Sequence, residues 1–356
     1  LLIKPPFAGG LKMEKKGKLD LTGPFPEELA QLLQQQGFAA YRASQLFGWI
    51  HNKTCFDFEA MSNLPKDLLA FLETEYRTVL PLELAVEQRS KDGTEKYLFE
   101  LADGAKIETV HIPEDKRDTI CISTQVGCAM RCSFCATGQG GFTRNLTAGE
   151  ITAQALWVEN RLRQVGTGLT NVVYMGMGEP LANYEAVLKS VRLLNHPQGL
   201  NLGARRFTIS TCGLVPEIGR LAQEDLQVNL AISLHAATDG QRSKTMPINR
   251  RYPIAELLEA ARSYTEVTGR RVSFEYALIK DFNDGAEDAR RLADLLRGML
   301  CHVNLIPVNP VVDAQRPTME RCEAFAGILN SAGIPVSIRK ERGTDIDAAC
   351  GQLRGK

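Results

Sequence analysis

The sequence contains no run of about 18 apolar residues, so it offers no membrane-spanning helix. It also lacks an excess of either charge: 42 Lys and Arg stand against 42 Asp and Glu. Composition therefore neither points to nucleic acid nor excludes it, and the basic residues come in small local groups such as Arg205 with Arg206, Arg250 with Arg251, Arg270 with Arg271, and Arg339, Lys340 and Arg342. Internal repeats and low-complexity stretches are missing. The nine cysteines fall at irregular spacing, unlike the framework of a disulfide-rich secreted domain, and point to a reducing, cytoplasmic setting. The segment from Leu1 to Lys18 has no signal-peptide apolar core or cleavage site. Residues 1–20 read as a flexible extension with a start near Met13. What remains is ordinary globular material, 44% apolar and 24% charged over 356 residues, enough for an α/β barrel with a small appendage. Nothing in the pattern calls for an obligate oligomer, so a monomer is expected.

The stretch from Cys121 to Arg144, CISTQVGCAMRCSFCATGQGGFTR, stands out against this background. Cys128, Cys132 and Cys135 are spaced Cys-x3-Cys-x2-Cys, with Phe134 before the last. Thiolates gathered so closely in one loop can hold a metal or an iron-sulfur cluster. A Cys-x-x-Cys pair alone is equally compatible with a zinc knuckle or a redox pair. Three ligands on a four-iron cluster, however, leave one iron open for a substrate or cofactor, whereas electron carriers and structural zinc sites fill every position with protein.

Along the chain, PEELAQLLQQQG, YRASQLFGWIHN and PKDLLAFLETEY carry helical apolar spacing and predict a small N-terminal helical domain over residues 21–80. Its size suits a recognition module, and a packing role fits the pattern as well. From 81 to 113 the period changes to two, with Asp92-Gly93 and Asp103-Gly104 as turns, which predicts a short antiparallel β segment linking the helices to the rest. Residues 114–345 then alternate strands (Thr119 to Ser123, Asn171 to Met175, Phe207 to Ser210, Val228 to Ser233, Val272 to Leu278, Val303 to Pro307) with amphipathic helices, and Val336 to Arg339 is a candidate extra strand. This is an α/β pattern, an open partial (β/α)6 barrel, short of the eight units of a closed one. Residues 346–356 form a C-terminal tail. In such folds ligands sit at the carboxyl ends of the strands. The cysteine loop, the Gly176–Pro180 turn, Ser210, Ser233 to His235 and Asn309 all fall on that rim.

The cysteine triple, its glycine-rich tail and the MGMGEP turn resemble the radical S-adenosylmethionine (SAM) superfamily. More of the chain, IETVHIPE, YMGMGEPL, STCGLVP, AISLHA, IPVNP and RGTDIDAACGQL, is similar to the RlmN/Cfr group of RNA adenine methyltransferases within it, and the resemblance leans to the RlmN form. The resemblance implies a 4Fe-4S cluster on Cys128, Cys132 and Cys135 with SAM on the open iron. It places Gly178, Glu179, Ser210, Ser233, Leu234, His235 and Asn309 in the SAM pocket. The implied substrates are 23S rRNA and tRNA, methylated at adenine C2, and the implied electron source is a donor such as flavodoxin or ferredoxin. The Cfr-type alternative methylates C8 with the same machinery.

Adenine C2 is an electron-poor carbon, so direct transfer of an electrophilic methyl group to it is unfavourable. The resemblance implies a detour. Cys350 first takes a methyl from SAM, a 5′-deoxyadenosyl radical then removes a hydrogen from that S-methyl group, and the resulting carbon radical adds to the base. Cys121 releases the product through a transient disulfide with Cys350. Glu108 matches the family's proton acceptor, and either Glu108 or Cys121 removes the C2 proton. Without the resemblance, Cys121 reads as a small core residue and Glu108 as a solvated strand residue. Cys55, Cys212, Cys301 and Cys322 are assigned to packing. A radical SAM enzyme acting on another protein, or an electron-transfer protein, would have no use for the Cys121 and Cys350 pair.

Overall fold

A computed structural model describes residues 20–76, 79–309 and 315–355. All of the sequence-predicted N-terminal extension before residue 20, including Met13, lies outside them. The three predicted front helices are present as α1 (Pro26–Gln35), α2 (Arg42–Phe47) and α3 (Lys66–Tyr76). A π-type turn over Gly48–Asn52 prolongs α2. Leu29, Leu33, Leu46, Phe47, Leu68 and Leu72 are fully buried, so the apolar spacing read from the sequence is the face on which these helices pack.

Strands β1 (Leu82–Arg89), β2 (Glu95–Leu101) and β3 (Lys106–Glu114) form the expected antiparallel meander, turning at Gly93 and Gly104 with positive φ. This meander is more than a linker. β3 pairs antiparallel with β4 (Arg117–Cys121), and β4 in turn pairs parallel with β7 (Asn171–Tyr174). Beyond it run β8 (Phe207–Thr211), β9 (Asn229–Ser233), β10 (Val272–Leu278), β11 (Cys301–Pro307) and β12 (Val336–Ile338), all parallel. The result is one ten-stranded sheet with β1 and β12 at its edges. The six predicted parallel strands are all present, and the candidate extra strand is a seventh.

The connecting helices are α4 (Ala136–Gln139), α5 (Ala148–Gln164), α6 (Tyr184–Asn195), α7 (Val215–Leu221), α8 (Asp239–Thr245), α9 (Ile254–Thr268), α10 (Ala286–Leu296) and α11 (Met319–Ser331). Helix α5 begins with a reciprocal cap: Thr147 Oγ1 accepts from Glu150 N (3.0 Å), and Glu150 Oε2 accepts from Thr147 N (2.8 Å). The same carboxylate is held in both arms of the Arg144 guanidinium at 2.8 Å, while Arg144 Nε donates to Asp103 Oδ2 at 2.7 Å. Arg144 thus ties the end of the cysteine segment to α5 and to the β2–β3 turn. A cap of this kind contributes about 1 kcal/mol. Its larger effect is to fix where the cysteine loop leaves the sheet.

Candidate functional site

The cysteine loop is closed at its base by a two-stranded ribbon, β5 (Gln125–Gly127) with β6 (Phe142–Asn145), that the sequence pattern does not announce. Its ends approach very closely. A Cβ on Gly127 would lie 2.0 Å from the Gly141 carbonyl oxygen, and Cys128 N donates to that oxygen at 2.7 Å. Only glycine fits there. Inside the loop, Cys135 N donates to Cys132 O (3.1 Å) and Ser133 N donates to Thr245 O at the end of α8 (2.9 Å).

The next wall is the turn after β7. A Cβ on Gly176 would meet the Ile122 carbonyl at 2.7 Å, and one on Gly178 (φ +108°) would meet Gln125 Cβ at 2.7 Å. These glycines are therefore required by the chain's own packing, whatever else they admit. Met177 O accepts from Thr124 N and Gln125 N (2.8 and 3.1 Å), and Glu179 N donates to Gln125 Oε1 (2.8 Å). The Glu179 carboxylate turns inward, accepting from Cys212 N (2.7 Å) and Leu181 N (3.0 Å), and its burial raises its pKa above the usual carboxylate value.

Cys128, Cys132, Cys135, Gly178, Glu179, Ser210, Ser233, His235, Asn309 and Cys350 line one cavity of about 170 Å³. Nine of the ten positions that the resemblance assigned to cluster and SAM pocket fall on it; the tenth, Leu234, has its side chain in the core (0% exposed). His235 sits at φ +55° with Nδ1 accepting from Ala277 N (2.8 Å), which fixes the neutral tautomer with the proton on Nε2. Burial lowers its pKa to about 3. Asn309 donates from Nδ2 to Cys350 O (3.0 Å), whereas its Oδ1 is buried and, among the described residues, without a partner. Such an orphaned acceptor fits a bound group that carries N–H or O–H donors.

Burial and neighbouring thiols hold Cys132 protonated in the bare protein and push Cys128 up to about 11. A metal reverses this by taking the thiolates as ligands. Among the described residues no three His, Cys, Asp or Glu side chains stand close enough to hold a single ion. A four-iron cluster spreads its ligands over separate irons, so its thiolates stand farther apart than those of one ion. Three soft donors, a glycine-lined wall and an unpaired acceptor fit such a cluster with an amino-acid-bearing ligand.

A second, smaller cavity adjoins the first and is lined by Cys121, Cys350, Cys135, Asn309 and Arg339. Both thiols are free. Cys121 is buried, and its burial together with the nearby Cys350 pushes it up to about 12 against the pull of the Arg339 guanidinium. The C-terminal tail that carries Cys350 is docked rather than loose. Ala136 N donates to Gly351 O (2.7 Å) and Thr137 Oγ1 to Leu353 O (2.7 Å). The residues leading into it are fixed as well: Gly343 N donates to Asp92 Oδ2 (2.9 Å), and Ser90 Oγ donates to Asp345 Oδ1 (2.6 Å).

Glu108 takes part in this docking. Its side chain, 3% exposed, pairs with Lys96 Nζ at 3.1 Å and accepts from the main-chain N–H groups of Arg354 (2.5 Å) and Gly355 (3.0 Å). It lines neither cavity. Sequence reasoning named Arg339 only within a basic group and a candidate strand; it did not single out Lys96, or Glu275 in the wall of the larger cavity, nor place Cys212 beside Glu179. Cys55, Cys301 and Cys322 pack as expected.

The chain matches the radical SAM superfamily over residues 122–296 and the N-terminal domain of ribosomal RNA large subunit methyltransferases over residues 19–77. It is 50% identical over 344 residues to a probable dual-specificity RNA methyltransferase RlmN of Symbiobacterium thermophilum, covering 96% of this chain and 92% of that protein. The corresponding Bacillus subtilis protein is 48% identical over 93% of this chain and 91% of its own length. A crystal structure of a radical SAM methyltransferase from Sphaerobacter thermophilus superposes with a TM-score of 0.93 at 51% identity, covering 95% of this chain and all of that one. With the loop of three cysteines, the open sheet and the paired thiols already in place, these likenesses leave one assignment: the chain belongs to the RlmN family of radical SAM methyltransferases.

Proposed function

We propose that the protein methylates C2 of an adenosine in 23S rRNA and in tRNA, with Cys350 as methyl carrier and Cys121 as its resolving partner. The observation that carries this reading is the pair of free thiols facing one small cavity that opens beside the cysteine loop. Neither an activating enzyme for another protein nor an electron carrier needs such a pair.

Cys128, Cys132 and Cys135 would hold a 4Fe-4S cluster, and Gly178, Glu179, Ser210, Ser233, His235 and Asn309 would surround SAM. Bound there, the two would supply the methyl group and, after one-electron reduction, a radical able to abstract hydrogen. The chain's own part begins with Cys350, whose sulfur accepts the methyl group and later carries the one-carbon fragment to the base. Once the adduct on the base has given up the C2 proton and has returned one electron to the redox centre that supplied the radical, Cys121 attacks the Cys350 sulfur. The S–S bond forms as the bond from sulfur to the transferred carbon breaks; that carbon keeps the electron pair and takes up a proton to become the methyl group. Because Cys121 is held as a neutral thiol, its proton leaves as its sulfur attacks. The external electron donor reopens the disulfide for the next cycle.

Glu108 has a role in presenting the carrier, through its grip on the Arg354 and Gly355 amides. A proton-accepting role for it requires the tail to let go first. The helical front is the proposed RNA grip. Tyr41 is 59% exposed with Arg42 against its ring, and Lys53 lies over Trp49 at 3.4 Å, a surface on which an unstacked base can lie.

The test is anaerobic reconstitution with iron, sulfide, reductant and SAM, followed by nucleoside mass spectrometry of unmodified 23S rRNA fragments and tRNA. The expected product is 2-methyladenosine with wild type and none with Cys350→Ala. Appearance of 8-methyladenosine overturns the site of methylation; SAM cleavage with both RNAs unchanged overturns the substrate.

A further inference from the structure

Arg242, on α8, is fully buried. Nε donates to Leu234 O (3.1 Å), Nη2 to Cys212 O (2.7 Å) and Ser233 O (3.1 Å), and Nη1 to Asn249 Oδ1 (2.9 Å) and Tyr252 O (3.4 Å). Every one of these acceptors is neutral. Among the described residues Arg242 forms no ion pair, and the ionisable groups near enough to feel it are Cys212, Cys132, Asp239 and the neutral His235. Asp239 spends its Oδ1 on Asn249 Nδ2 and Ile254 N.

A guanidinium taken out of water without a carboxylate costs several kcal/mol even when its donors are satisfied. A buried charge of this kind is retained where something of opposite sign lies close by. One main-chain route leads from it to the cysteine loop and another to the wall of the same cavity. The last carbonyl of its own helix, Thr245 O, accepts from Ser133 N, the residue after Cys132. On the other side, the Cys212 peptide accepts from Arg242 at its carbonyl, while the Cys212 N–H donates to Glu179 in the cavity wall.

We propose that Arg242 is a fixed counter-charge placed behind the cysteine loop, which makes a cluster bound there easier to reduce. The proposal rests on the reading that Cys128, Cys132 and Cys135 hold an iron-sulfur cluster. A cluster on three thiolates is an anion and gains one more negative charge on reduction, so a buried cation that cannot move away or be screened stabilises the reduced form more than the oxidised one. Arg242 is a positioning residue in this scheme: with all its donors occupied and no exposed surface, it touches neither SAM nor RNA. The competing explanation is a structural cation that balances Glu179 across the Cys212 peptide.

The test is the midpoint potential of the reconstituted cluster, followed by electron paramagnetic resonance during a redox titration, in wild type, Arg242→Lys, Arg242→Gln and Arg242→Met. Iron and sulfide content is measured on each. The expected result is that the neutral variants shift the reduction equilibrium at least tenfold towards the oxidised form, about 59 mV for one electron, while the lysine variant stays near wild type. Neutral variants that load the cluster at an unchanged potential overturn the proposal. Should neither neutral variant load the cluster, loading restored by lysine supports the charge, and equal failure of all three variants makes Arg242 structural and overturns it. Wild type that binds no iron and sulfide overturns the cluster reading itself, a result distinct from these.

Discussion

Replacing Glu108 by Gln should loosen the C-terminal tail far more than the rest of the molecule. The carboxylate accepts two main-chain N–H groups from the tail and pairs with a Lys96 ammonium that is itself 10% exposed. Hydrogen bonds to a charged acceptor contribute about 1.5–3 kcal/mol against about 1 for a neutral one, so the amide oxygen of Gln forfeits roughly 1 kcal/mol per bond and roughly 2 for the pair. At 1.4 kcal/mol per tenfold, that is about a 30-fold rise in tail opening. The stranded Lys96 adds a global cost of about 3 kcal/mol. Hydrogen exchange read by mass spectrometry separates the two effects, because local opening speeds exchange only in the terminal peptide. Lys96→Met combined with Glu108→Gln should recover the global loss and leave the tail loose. If terminal exchange in Glu108→Gln stays within twofold of wild type while the melting temperature falls, Glu108 does not hold the tail.

Acid should destabilise the protein through its buried histidines, His51 and His235 above all. His51 and His235 are buried with their pKa lowered to about 3, chiefly by desolvation, so the unfolded chain binds protons that the folded one refuses. Their contribution is complete above the unfolded value near 6.5 and is lost as pH falls from there towards 3, at about 1.4 kcal/mol per pH unit for each. His51, stacked 4.1 Å from Phe47 with both ring nitrogens unpaired among the described residues, can be tested alone: His51→Phe should lower the slope of stability against pH between about 5 and 6 by about 1.4 kcal/mol per pH unit in urea titrations, and an unchanged slope refutes the assignment. Gly127→Ala should abolish iron loading, since its Cβ would sit on the Gly141 carbonyl; normal iron content would show that the ribbon closing the loop yields. Cys121→Ala should leave Cys350 methylation intact and let RNA stay covalently joined to the protein, visible as a slow band on a denaturing gel. Free, fully methylated RNA from that variant would remove Cys121 from the release step.

Local signals are legible in the sequence and long-range ones are not. The strand Val272–Leu278 has the boundaries its β-branched and aromatic run implies, and Gly93 and Gly104 turn as Asp-Gly pairs do. The β5–β6 ribbon escapes notice because each strand is three or four residues long and its partner lies beyond the cysteines. Arg242 looks like any surface arginine of a short amphipathic helix. Only the fold brings the Cys212 and Ser233 carbonyls around it. Likewise a glycine-flanked cysteine near the chain's end suggests a swinging arm, whereas Thr137 and Glu108, each more than 200 positions away, hold the tail down. The glycines of the MGMGEP turn carry a double demand, close packing on Ile122 and Gln125 and a wall for the cavity, which a sequence cannot divide.

Peptide mass spectrometry of reconstituted enzyme incubated with SAM and reductant but no RNA reads the carrier itself. The expected result is one methyl group on the tail peptide at Cys350, transferred to RNA when unmodified substrate is added. A tail that remains unmethylated while the RNA gains its methyl group would contradict Cys350 as the methyl carrier.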